Sequence, residues 1–204
     1  MTTHLVRIVA SSAIALGLGS SVAMAQTLPP VPPKLQVPAG HTLFFKAHAS
    51  GTQNYVCLPA ATPTGVAWKF YAPEATLFQS FFGQFSQQLA THFLSANPDE
   101  AGTGRATWQH SIDTSRVWAR MIEQSSDPAY VQPGAIPWFL LTVVGSEPGP
   151  EGGSFLTPAV YIQRLNTSGG ILPTTGCDAT ASIGAISLVP YEADYFFYKV
   201  SRSR

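Results

Sequence analysis

Charge is scarce in this chain of 204 residues: 11 Lys and Arg stand against 11 Asp and Glu, 11 % of the sequence, where about 25 % is ordinary for a soluble domain. The formal net charge is zero, so there is no electrostatic footprint for a phosphate backbone or an anionic lipid surface, and nucleic acid is discounted as a partner. Cysteine is limited to Cys57 and Cys177. The longest apolar stretch, near the N-terminus, is broken by Ser11, Ser12, Ser20 and Ser21 and falls short of the roughly 18 uninterrupted residues of a membrane anchor. Catalytic signatures are absent too: there is no G-x-S-x-G elbow, no H-E-x-x-H, no phosphate-binding loop and no EF-hand loop. GTGRAT at 102–107 lacks the third glycine of a dinucleotide fingerprint and reads as a turn.

Apolar residues are plentiful at 45 %, which marks a chain that folds rather than one that stays disordered. Residues 1–25 read as a signal peptide: Arg7 follows the amino terminus, 8–18 is apolar apart from small residues, and Ala23-Met24-Ala25 supplies a small-x-small cleavage pattern. Cleavage would leave 204 − 25 = 179 residues, about one domain's length, exported to the periplasm or beyond and without stable membrane insertion. In that oxidising setting Cys57 and Cys177 are expected to join. The cross-link would close a loop of 177 − 57 = 120 residues and stabilise the fold by on the order of 4 to 5 kcal/mol.

Residues 26–40 form a Pro-rich leader with five prolines, whose fixed φ and missing N–H suit a tether or edge segment. Residues 41–204 then read as a single β domain, an antiparallel sandwich or partly closed barrel with at most one short helix. Residues 43–49 alternate apolar and polar, as a strand does, before Ser50-Gly51 turns the chain. Further strands fall at 53–58, 66–71, 107–111, 116–122, 138–144, 160–166 and 193–200. Asp113-Thr114-Ser115 makes a hairpin of 107–111 and 116–122. The loop GSEPGPEGGS is too rich in Gly and Pro for regular structure and is expected to be exposed and mobile. Between Phe78 and Phe93 aromatics recur at helical spacing, but Gly83 interrupts them, and periodicity leaves helix and hairpin both open.

Candidate chemistry is sparse. His41 and His48, an odd number of residues apart on one unbent strand, face opposite ways and cannot share a metal. His92 and His110 flank one turn-rich segment with Asp113 close by, which makes the three candidate acid–base groups. Asp99 and Glu100 are adjacent and more suited to a turn than to paired catalysis. Arg164, in an apolar strand, is either a buried charge in need of a partner or a surface residue, and the surface reading is the expectation. Core packing suits Trp68 and Trp138. Trp118, sharing a strand face with Arg120, and Trp108, on the face of His110, are the candidates for stacking on a ligand at the surface. No cofactor and no metal site are called for.

The segments GTQNYVC (51–57), PEATLF (73–78), THFLSANP (91–98), ATWQHSIDTSRVWAR (106–120), IPWFLL (136–141), YIQRLNTSGG (161–170) and VPYEADYFFYK (189–199) together resemble the secreted bacterial and fungal proteins of domain of unknown function 3455. Many members carry Gly-Pro-Thr-Trp and Asp-Gly-Ser where this chain has Arg105-Ala106-Thr107-Trp108 and Asp113-Thr114-Ser115. The resemblance implies a hairpin over 75–94, and it implies that Cys57 and Cys177 are the family's paired positions. It brings no function with it.

The leading expectation is an exported, non-catalytic β domain that binds a small molecule or a cell-envelope component through a face around Trp108, His110, Asp113 and Trp118, with Trp108, Trp118 and Arg120 as the ligand-binding residues. The alternatives are a cell-envelope hydrolase using His92, His110 and Asp113, and a pocketless interaction or inhibitor protein. Under the first, His110→Ala and Trp118→Ala leave the thermal midpoint nearly unchanged.

Overall fold

The computed structural model describes residues 28–81 and 85–202. The expected signal peptide, residues 1–25, lies outside them. Eight antiparallel strands follow one another around a closed barrel: β1 (His41–Pro59), β2 (Val66–Phe81), β3 (Phe85–Asn97), β4 (Thr103–His110), β5 (Arg116–Ser125), β6 (Trp138–Glu147), β7 (Ala159–Gly169) and β8 (Ile186–Val200). β8 pairs with β1 from His41↔Val200 to Val56↔Ile186 and removes both sheet edges. Of the two forms expected, the barrel is present, and it is fully closed. Among the described residues there is no α-helix, only three short 3-10 turns.

The segment left open between helix and hairpin is the β2–β3 hairpin, paired from Ala75↔His92 to Phe81↔Phe85. Its helical-looking aromatic spacing loses to the ladder, because backbone N–H and C=O groups in a barrel wall are satisfied on both flanks. Ser50-Gly51, expected as a turn, lies inside β1, which runs on to Pro59. A Cβ on Gly51 would collide with the Glu74 carbonyl and with Ala75, so this glycine permits close backbone approach instead of reversing the chain.

Two apolar clusters sit on opposite sides of the wall. Inside, Phe45, Leu77, Ala90, Val117, Ile162 and Phe197 fill the half of the barrel near the β4–β5 turn. Outside, Leu35 of the Pro-rich leader, wholly buried, packs with Trp138, Leu140, Leu165, Phe196 and Tyr198. The Gln163 amide donates to the Leu35 carbonyl at 2.6 Å and accepts from the Tyr198 hydroxyl at 2.7 Å, fixing the leader to β7 and β8. The leader is thus a strap over the barrel wall.

The glycine-rich segment after β6 is exposed over most of its length, as expected, but it is held down where it ends. Its Phe155 and Leu156 N–H groups donate to Asp113 Oδ2 and Ser115 Oγ at 2.8 and 3.0 Å, and Leu156 is buried in the inner core. Gly149 and Gly153 lie where a Cβ would strike Asp113. Sequence reading makes this loop mobile because glycine and proline cannot build regular structure, but the same glycines let it press against the β4–β5 turn.

Cys57, at the far end of β1, and Cys177 form the expected disulfide, with Cα atoms 5.6 Å apart. It ties residues 170–185 to the barrel, and the Trp68 indole N–H donates to Thr175 in the same segment at 2.9 Å.

Candidate functional site

The two ladders flanking the outer half of the β3–β4 hairpin stop early. β2 pairs with β3 only as far as Ala75↔His92, two residues from Pro73, which has no N–H to give. β4 pairs with β5 only from Gln109↔Arg116 to Ala106↔Ala119. Beyond those points β3 and β4 pair with each other alone, up to Asn97↔Thr103. Their tip lies across the outside of the barrel: Asn97 donates to the Val144 carbonyl at 3.2 Å, and Ser95 accepts the Trp118 indole N–H at 2.8 Å.

Where β3 and β4 leave the wall, the interior opens. A cavity of about 580 Å3 occupies the half of the barrel that the inner core does not fill. Its lateral mouth is lined by Phe70, Leu94, Gly104, Arg105, Arg120 and Met121, and its depth by Gln53, His92, Trp108, Phe139, Arg164 and Tyr195. Most of this lining is apolar, and Phe70, Leu94 and Met121 are exposed at the mouth.

Polar groups at depth are few, and their states are defined. His92 stacks on Trp108 with ring centroids 4.2 Å apart and 8° between planes. Its Nδ1 lies 2.9 Å from the Thr107 carbonyl, which can only accept, so Nδ1 carries the hydrogen and Nε2 is left as an acceptor. Burial, opposed by the Thr107 bond and reinforced by the Arg164 charge, lowers the His92 pKa to about 3. The imidazole is therefore neutral at physiological pH. Burial also raises the Tyr191 and Tyr195 hydroxyls above their ordinary range, so both are un-ionised donors.

Among the described residues Arg164 is the one cation at depth. It is 7 % exposed, and its Nε and Nη2 donate to the Pro137 carbonyl at 3.3 and 2.8 Å. The guanidinium lies 3.8 Å from the Phe139 ring centroid. No ion pair among the described residues includes it. The surface position expected for Arg164 is thus corrected: β7 is covered on both faces, by the interior on one side and by the leader on the other. At the mouth Arg105 is held by Glu100 through two contacts of 2.7 Å, which with Asn97 lower the Glu100 pKa to about 2. Arg120 is exposed and in no ion pair among the described residues.

The expected acid–base trio is divided. His92 lines the cavity, whereas His110 and Asp113 do not. His110 stacks on Phe155 with centroids 4.3 Å apart and bonds Asp113 Oδ1 at 2.8 Å. Burial works to raise the Asp113 pKa, but hydrogen bonds from the Phe155 N–H, Ser115 and His110 overcome it and hold the carboxyl well below the usual range. These bonds fasten the segment after β6. Among the described residues no group of three His, Cys, Asp or Glu side chains stands close enough to hold a metal ion.

Trp108 and Trp118, expected at the surface, are each 1 % exposed. Trp108 faces the cavity. Trp118 points out of the barrel, as strand alternation predicts, but the β3–β4 tip covers it, and Arg116 approaches its ring to 5.7 Å. Trp118 does not line the cavity, while Arg120 does. Trp138 is buried as expected, in the outer cluster, and Trp68 is half-buried.

Sequence reasoning missed Gln53, Phe70, Phe139 and Tyr195 as cavity residues. For Gln53 the signal was present: Phe45, Ala47, Ala49, Gly51, Gln53 and Tyr55 share one parity, and that face is the interior once β1 runs through Gly51.

Wall and cavity together define an up-and-down eight-stranded antiparallel barrel with an internal cup open at its side. A family model described as "Protein of unknown function (DUF3455)" matches residues 38–199, and the chain belongs to that family. No curated protein and no solved structure matches it.

Proposed function

We propose that this is an exported, non-catalytic binding protein whose cup holds a small, largely apolar molecule. The observation that carries the reading is the cavity of about 580 Å3, within the roughly 300 to 1,000 Å3 common for ligand sites, with apolar walls and a few convergent polar groups. Small barrels of eight strands hold one small ligand when side chains leave the interior unfilled. The Cys57–Cys177 disulfide supports an oxidising compartment, and the described residues contain no helix long and apolar enough to cross a membrane. Hydrolysis finds less support: His92 is a weak base at neutral pH, and His110 and Asp113, the other two acid–base candidates, lie outside the cavity.

The test is titration with the neutral dye N-phenylnaphthylamine, which brightens in apolar surroundings. Wild-type protein is expected to bind it saturably. Ala119→Phe, which places a ring in the cup from a lining position, is expected to weaken binding by about tenfold or more, one lost aromatic contact's worth, at an unchanged far-UV spectrum. A dye that binds Ala119→Phe as well as wild type is not in the cup, and the reading fails.

A further inference from the structure

We propose that the molecule held in the cup carries a carboxylate, and that this group seats against Arg164. The inference rests on the cup reading and adds the ligand's chemical class.

It starts from an imbalance of charge. A guanidinium does not lose its proton in proteins, so burying Arg164 cannot be relieved by neutralisation as it could for lysine. A buried charge without a partner is costly. The Pro137 carbonyl and the Phe139 ring offset part of that cost, but neither supplies negative charge. Two of the five guanidinium N–H groups go to Pro137. The remaining three are left for the Tyr195 hydroxyl, on which the guanidinium bears, and for the cavity.

An imbalance of donors points the same way. Gln53 is 4 % exposed, and its Nε2 is buried without an acceptor. The Tyr191 hydroxyl is near enough to feel this amide, yet no well-formed hydrogen bond joins them. The buried Trp108 Nε1 likewise has no acceptor. Both side chains line the cavity with Arg164. Buried polar groups are nearly always bonded, and Arg116 Nε and Trp138 Nε1 are orphaned away from the cavity as well. It is therefore the sharing of one cavity with a cation that has no counter-ion among the described residues that makes these two donors point to an acceptor bearing negative charge.

Carboxylate fits better than phosphate. One guanidinium balances one negative charge, and a phosphate dianion would leave a second among Phe139, Leu141 and Tyr195, where no other cation among the described residues lies at depth. The rest of the ligand must be apolar, because the path from Arg164 to the mouth runs past Phe139, Leu94, Met121 and Phe70. Arg120 at the entrance adds an exposed positive charge that favours approach of an anion.

The probes are decanoate and decanol, which share a chain and differ in the head group, each used at neutral pH to displace N-phenylnaphthylamine. Wild-type protein is expected to prefer decanoate by about tenfold or more, the worth of a charge-assisted hydrogen bond. Arg164→Met is expected to bring the two affinities within about threefold while leaving decanol unchanged, and Gln53→Leu to weaken decanoate alone. Equal wild-type affinities would overturn the carboxylate while leaving the cup as a binding site. A decanoate preference that survives Arg164→Met would overturn the assignment to Arg164. If the dye itself fails to bind, both readings fall. Should Arg164→Met not fold, the wild-type ratio and Gln53→Leu decide the matter.

Discussion

Trp118 and Arg164 show how far a residue's surroundings depend on chain segments remote from it in sequence. Both obey strand alternation, and both are buried although neither was expected to be. The β3–β4 tip covers Trp118, and its indole N–H is taken by Ser95. Its truncation therefore reads as a core mutation. Trp118→Ala is expected to cost about 3 to 5 kcal/mol, the range for large aromatics removed from a packed interior, as measured by urea unfolding. A loss below about 1 kcal/mol, the scale of surface substitutions, would return Trp118 to the surface role first expected of it.

Between elements the main devices are latches. The segment after β6 carries Leu156 into the inner core and is secured through Asp113, while the leader is secured through Gln163. Asp113→Ala removes hydrogen bonds to a charged group and is expected to cost about 2 kcal/mol at pH 7. The pH dependence has a definite sign. The Asp113 carboxyl has a lower pKa folded than unfolded, so its contribution is complete above the unfolded value of about 4 and fades as pH falls below it. Thermal midpoints at pH 7 and pH 2 should show a gap between wild type and Asp113→Ala that narrows in acid. A gap that stays constant would mean that packing, not the charge, is what Asp113 supplies.

Across the whole molecule, closure of the barrel and the disulfide act together. Residues 170–185 have no strand of their own and are held by Cys57–Cys177, by Trp68 and by the Tyr55 hydroxyl, which donates to the Gly170 carbonyl at 2.6 Å. Reduction is expected to lower stability by on the order of 4 to 5 kcal/mol for a separation of 120 residues, read as a shift of the denaturant midpoint with and without dithiothreitol. A shift equivalent to less than about 1 kcal/mol would mean that the unfolded chain is already compact, since the cross-link acts by restricting that state.

Local pattern determined much of this protein. Alternation and turn residues gave the β class and the β4–β5 hairpin, and two cysteines made the disulfide the expected pairing. Resemblance was needed to choose hairpin over helix at 75–94, because aromatic spacing there satisfies both periods. Only the tertiary structure decided that the sheet closes, that β1 passes through Gly51 and carries Gln53 inside, and that Arg164 and Trp108 meet around one cavity while Asp113 is drawn to the opposite end. The physical reason is one of range: alternation records which side of its own strand a residue takes. Which side becomes a covered wall, a filled core or an empty cup is set by strands and loops dozens of residues away.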